Sequence, residues 1–178
     1  MQANTISKRT HRWAIGSYFF IAGITFASWA SRIPDIKEKL QLNDAELGGI
    51  LFALPAGSMV SLPISGWLVS KLGSRTVMLI AAIIYPILLL LLGTASTTFI
   101  LTSLLFCFGL LGNMMNISVN TQAVAVEELY GRSILASFHG IWSMAGFTGA
   151  AVGTLMISFG FDPLKHFSII AAAMILLA

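Results

Sequence analysis

Six apolar stretches separated by short polar segments make up almost all of this 178-residue chain. They run from Trp13 to Ser31, Leu47 to Ser70, Thr76 to Gly93, Phe99 to Val126, Ser133 to Phe159, and Leu164 to the last residue, Ala178. At about 1.5 Å per residue, a helix of about 20 apolar residues crosses the ~30 Å hydrocarbon layer of a bilayer. The first five stretches meet that length. The sixth is still apolar at Ala178 and reads as cut short. Linkers this short join antiparallel neighbours. The pattern predicts an all-α polytopic transmembrane bundle, with residues 1–12 as an N-terminal segment outside the membrane and residues 13–178 as one six-helix unit.

Local signals agree with these boundaries. Asn43 and Glu46 have the spacing of a helix start, the amide capping the first turn and the carboxylate reaching back. Gly73 and Gly131 stand where helices should end in turns. Pro55, Pro63 and Pro86 fall inside spans, which membrane helices tolerate when neighbours satisfy the freed carbonyls. The basic residues Lys8, Arg9 and Arg12 before the first stretch also suit a signal peptide. The stretch is long for that role and five more follow, so we read it as a span.

Composition strengthens the membrane reading and removes alternatives. The chain is 57% hydrophobic and 10% charged, against roughly 25% charged in soluble domains. Its net charge of +3 is scattered over linkers and offers no contiguous basic face for nucleic acid. Cys107 is the single cysteine, so no disulfide forms within the chain. No phosphate-binding loop, zinc spacing or dinucleotide fingerprint appears, and we expect no enzyme, metal or cofactor. Lysine and arginine bias places the N-terminus in the cytoplasm. Lys8, Arg9, Arg12, Lys71, Arg75 and Arg132 then lie inside, and Arg32, Lys37, Lys39 and Lys165 outside.

Few polar residues interrupt the spans. Asn113, Asn116 and Asn120 recur at spacings of three and four and share one face of the fourth helix. Carboxamides facing lipid are costly, so that face should meet protein or water. They read either as contacts for a hydroxyl-rich solute or as bonds between helices. On the first helix Thr25, Trp29 and Arg32 share a face near the outer end. Arg32 and Trp29 suit an anionic or sugar-like solute, and they also suit anchoring at the membrane edge, where Pro34 places Arg32. His139 is the histidine expected deep in a span, which makes it a functional candidate beside the reading of a neutral imidazole bonded to a neighbour. Gly109 and Gly112, and Gly146, Gly149 and Gly153, are surfaces for close helix approach.

The segment Gly66-Trp-Leu68-Val-Ser70-Lys71-Leu-Gly73-Ser74-Arg75 lies between the second and third spans. It resembles the cytoplasmic signature of the major facilitator superfamily, with Ser70 where that signature carries an acid. Gly66 would admit a neighbouring helix, Gly73 the tight turn, and Lys71 and Arg75 would hold the loop at the inner surface. Phe26-Ala-Ser-Trp-Ala-Ser-Arg32-Ile-Pro34, Asn120 with Glu127, and Phe138-His139-Gly140-Ile-Trp142-Ser143 are similar to a bacterial MosC-like subgroup associated with rhizopine, a modified inositol. The resemblance implies the N-terminal half of a transporter of the bacterial inner membrane about twice this length. It also implies a pseudo-twofold between halves and a central cavity lined by first and fourth helices.

The expected function is transport of a small polar solute, sugar- or cyclitol-like, by alternating access, either secondary active (for example symport) or facilitative. Thr25, Trp29, Arg32, Asn113, Asn116, Asn120, His139 and Trp142 are the candidate solute contacts. Gly66, Ser70, Lys71, Gly73 and Arg75 are the candidate cytoplasmic gate. The expected partners are the solute, the bilayer and a second six-helix half. An efflux carrier for amphipathic compounds and a non-transporting membrane scaffold or sensor are the competing readings.

Overall fold

The computed structural model describes residues 7–178 as eight helices and short connections. They are α1 (Lys8–Ser31), α2 (Ile33–Lys39), α3 (Asp44–Leu51), α4 (Ala53–Leu72), α5 (Ser74–Thr94), α6 (Thr98–Tyr130), α7 (Leu135–Ser158) and α8 (Pro163–Leu177). Five spans are long and apolar enough to cross a membrane, α3 and α4 together forming one of them, and α8 adds a shorter apolar helix. The all-α bundle expected from the sequence is what the chain forms.

Helix ends follow local chemistry. Ser7 caps α1, its hydroxyl accepting from the Thr10 amide, so the helix starts five residues before Trp13 and takes up residues 8–12 of the expected N-terminal segment. Residues 1–6 of that segment lie outside the described residues. Asn43 and Glu46 form the reciprocal capping box at α3, both bonds 2.9 Å long. The second stretch is two helices rather than one, broken at Phe52. Pro55 explains the break: it has no N–H for the carbonyl of Leu51, and its ring crowds that carbonyl. Pro63 and Pro86, in contrast, lie within continuous helices. The short α2 was not anticipated. Its signals are Pro34 in the first turn, Asp35 beside it, and Lys37 and Lys39 in the last turn, which complement the helix dipole.

Two turns require glycine. Gly131 closes α6 at φ 64° and Gly73 separates α4 from α5 at φ 81°. The left-handed region costs a residue with a β-carbon about 1–2 kcal/mol. Gly131→Ala should therefore lower stability by about that amount, read as a fall in melting temperature of the detergent-solubilised protein.

The bundle is not packed in chain order. α1 lies along α7, α4 along α6, and α5 against both α6 and α8. Where α4 meets α6 the backbones touch. A β-carbon built on Gly57 would fall on the carbonyl oxygen of Phe106, and one on Gly109 would fall on that of Leu54. Ser58 Oγ donates to the carbonyls of Leu54 and Gly109 at 3.1 Å. α4 and α7 are the least enclosed spans, with Met59, Leu62, Trp67, Met144, Phe147 and Leu155 exposed. An apolar exterior of this kind suits lipid or another apolar helical surface.

Charged groups gather at the two ends. At one, Arg12 donates to Ser137 Oγ (3.1 Å) and lies over the Tyr130 ring, Gln122 donates to Ser74 Oγ (2.7 Å), and Glu127 accepts from the amides of Ile134 and Leu135. At the other, Lys37 pairs with Asp44 at 2.6 Å and Lys39 donates to the Gly93 carbonyl.

Candidate functional site

A cavity of about 320 Å³ lies midway along the helices, bounded by α1, α4, α5, α6 and α7. α6 supplies the polar wall through Asn113 and Asn116, and α4 adds Ser58. Aromatic rings form much of the remainder: Phe19 and Phe26 from α1, Tyr85 from α5, Phe108 from α6 and Trp142 from α7. Flat apolar faces beside a few amides suit a small ring that carries hydroxyl groups.

The three asparagines do different work. Asn113 Nδ2 donates to the Ser58 carbonyl at 3.0 Å, tying α6 to α4, while the residue still lines the cavity. It thus serves as a bond between helices, about 0.6–2 kcal/mol in a membrane, and as part of the wall. Asn120 does not reach the cavity. Its Nδ2 donates to Asn116 Oδ1 (2.9 Å) and to the Asn116 carbonyl (2.8 Å), one turn closer to the chain's Arg12 end. This fixes the Asn116 carboxamide with its oxygen occupied and its NH2 free to donate.

The first-helix candidates face elsewhere. Thr25, Trp29 and Arg32 share a face as expected, but that face is sealed inside the bundle. The adjoining stripe of Phe19, Ala22 and Phe26 looks on to the cavity instead. Trp29 packs near Phe108. Arg32 is 1% exposed, which fits neither a solute contact nor anchoring at the membrane edge. Its Nε donates to His166 Nδ1 (3.1 Å), Nη1 to Asp35 (3.0 Å) and Nη2 to the Phe161 carbonyl (2.8 Å). It clamps the end of α1 to the start of α8.

His139 lies apart from this cavity. It stands in the first turns of α7, exposed, edge-on to Phe19, and does not line the cavity. The buried histidine is His166, fully enclosed in α8. A position near the start of an apolar run gave no sign of burial, since the Arg32 that receives it is 134 residues away.

The connection between α4 and α5 is exposed at Ser70, Lys71, Gly73 and Arg75. Ser70 Oγ donates back to the Trp67 carbonyl at 2.8 Å. Gly66 has no neighbour where a β-carbon would stand, so within this chain it admits no helix. Gly146 is open in the same way, whereas Gly149 and Gly153 meet α1 closely.

A family model for the Major Facilitator Superfamily matches residues 6–178. The chain belongs to that superfamily. Among curated proteins it is 36% identical to an uncharacterised MFS-type transporter of Yersinia pestis over 159 residues, 89% of this chain and 41% of the relative. It is 34% identical to an uncharacterised transporter of Sinorhizobium fredii over 157 residues, 88% of this chain and 42% of the relative. It is 32% identical to the membrane protein MosC of Rhizobium meliloti over 142 residues, 80% of this chain and 34% of the relative. The chain therefore spans about two-fifths of the length of the curated relatives it matches. It is a multi-pass membrane protein of the facilitator type. The facilitator signature read at Gly66 to Arg75 and the MosC-like likeness agree with these matches.

Proposed function

We propose that this chain is the N-terminal six-helix unit of a transporter that carries a small polar solute, sugar- or cyclitol-like, by alternating access across the bacterial inner membrane. The observation that carries the reading is the mid-depth cavity, where the free NH2 of Asn116 and the carboxamide of Asn113 face aromatic walls that include Trp142. Polar groups at that depth recognise a solute that has left water, and two packed halves rocking about such a site expose it to each side in turn. The open surfaces of α4 and α7 support a second half as their partner. Gly66, Ser70, Lys71, Gly73 and Arg75 would form the cytoplasmic side of the gate. Without a carboxylate at Ser70, the closed state would be held by hydrogen bonds rather than by an ion pair.

Asn116→Ala should reduce uptake of the solute roughly threefold to tenfold, the loss of one hydrogen bond of about 0.5–1.5 kcal/mol, with expression in the membrane unchanged. Uptake by the intact protein of labelled sugars and cyclitols, beside lipophilic dyes, is the measurement. Unchanged transport in Asn113→Ala, Asn116→Ala and Asn120→Ala alike would defeat the site. The aromatic lining favours one other reading, efflux of amphipathic compounds, which accumulation or exclusion of the dyes would reveal.

A further inference from the structure

The fifth helix, α5, packs on the side of α6 and against α8, yet one of its residues reaches the cavity. That residue is Tyr85, 3% exposed, and α6 lets it through at Gly112. A β-carbon built on Gly112 would stand 3.1 Å from Cε2, Cζ and the hydroxyl oxygen of Tyr85 alike. The tip of the phenol therefore lies directly over the α-carbon of Gly112. Phe108, one turn earlier on α6, stacks on the same ring, with centroids 4.4 Å apart and planes 29° from parallel.

The hydroxyl itself is left free. It takes part in no hydrogen bond among the described residues. Nor is it one of the sealed and partnerless polar atoms, which are Thr25 Oγ1, Ser28 Oγ and His166 Nε2. A buried phenol ordinarily finds a partner. Here the open direction is the cavity that also holds Asn113 and Asn116.

Resting on the reading of this cavity as a solute site, we propose that Tyr85 is a specificity-determining residue, presented through the gap at Gly112 to hydrogen-bond a hydroxyl of the solute. Its ring is buried and held by contacts with Phe108 and Gly112, so the O–H comes at a defined position and costs little ordering on binding. A site built around a fixed polar group discriminates against a ligand that lacks the matching hydroxyl, because the group is then left unpaired. The Gly112 gap has a second consequence. A β-carbon there would press on the phenol tip, which would have to give by a few tenths of an ångström, so a side chain at residue 112 would shift the hydroxyl.

The test uses the intact protein with its native cysteines, Cys107 among them, replaced by serine. Single cysteines are placed at Tyr85, at Asn116 in the cavity wall, and at Ile84, which is exposed on the outer face of α5. A small charged methanethiosulfonate should modify Tyr85→Cys about as fast as Asn116→Cys, and at least about tenfold faster than Ile84→Cys, since a thiol facing lipid stays protonated and unreactive. Saturating myo-inositol should slow the first two reactions together. Tyr85→Phe should raise KM for myo-inositol uptake about threefold to tenfold with little change in maximal rate, as removal of a binding contact does. If Asn116→Cys reacts and is protected while Tyr85→Cys behaves like Ile84→Cys, the cavity stands and the role of Tyr85 falls. If neither cavity position reacts, both fall. An unchanged KM in Tyr85→Phe, with Asn116→Ala impaired, also overturns the proposal.

Discussion

Gly109→Val should leave almost no folded protein. At the seam between α4 and α6 the backbones touch, and the contact is reciprocal: Gly109 faces the Leu54 carbonyl, and Gly57 faces the Phe106 carbonyl. A branched side chain cannot be absorbed by a rotamer change here, because what it meets is backbone. The helices must separate, and the Ser58 bonds to Gly109 and the Asn113 bond to Ser58 would then stretch together. Overpacking a tight core costs about 1–3 kcal/mol, and a clash with rigid backbone belongs at or above the upper end. Size-exclusion profiles and thermal melting in detergent would show the loss. Gly146→Ala is the control. It sits on α7 with nothing in this chain near the new methyl group, and alanine favours helix by about 1 kcal/mol over glycine, so the stability of this bundle should hold or rise. Equal tolerance at Gly109 and Gly146 would mean that the α4–α6 seam is not where the bundle is held.

Arg32→Ala carries the second large effect. The guanidinium is enclosed, and its removal strands His166 Nδ1 and the Phe161 carbonyl without a donor and Asp35 without its cation. Breaking a buried charged pair costs about 3–5 kcal/mol, and because Asp35 keeps 31% of its side-chain surface in solvent the expected loss is at the lower end, ~3 kcal/mol. Arg32→Lys should recover little of it. An ammonium is a point donor, whereas this site uses Nε, Nη1 and Nη2 in three directions. The measurement is the melting temperature beside the amount of protein in the membrane. A variant that melts normally but no longer takes up solute would return Arg32 to the binding site and contradict the packing described above. His166→Ala should show a smaller loss, since Arg32 keeps two of its three acceptors.

The two effects share a cause. In a bilayer the apolar surface of each helix gains little by meeting another apolar helix rather than lipid, so close backbone packing and buried hydrogen bonds decide which helices associate. The α4–α6 seam supplies the first and the Arg32 cluster the second. They sit in different parts of the bundle: one beside the cavity, the other at the end where α1 and α8 meet. Changes at the seam should therefore alter the cavity as well as stability. Those at Arg32 should act through the amount of folded protein alone.

The apolar spans and several of the helix ends could be read from the chain because each is a local property. Runs of apolar residues, the Asn43–Glu46 box and the glycines at 73 and 131 declare themselves within a few positions. The amide face of α6 was legible for the same reason, since spacing alone puts Asn113, Asn116 and Asn120 on one side. Which stripe of α1 faces the cavity was not. A helix that is apolar all round has no polar side to fix its rotation, so Phe19, Ala22 and Phe26 could not be told from Thr25, Trp29 and Arg32 before the neighbours were in place. The Arg32–His166 contact and the passage of Tyr85 past Gly112 join residues 134 and 27 positions apart. Only the packing of α1 on α8 and of α5 on α6 brought them together.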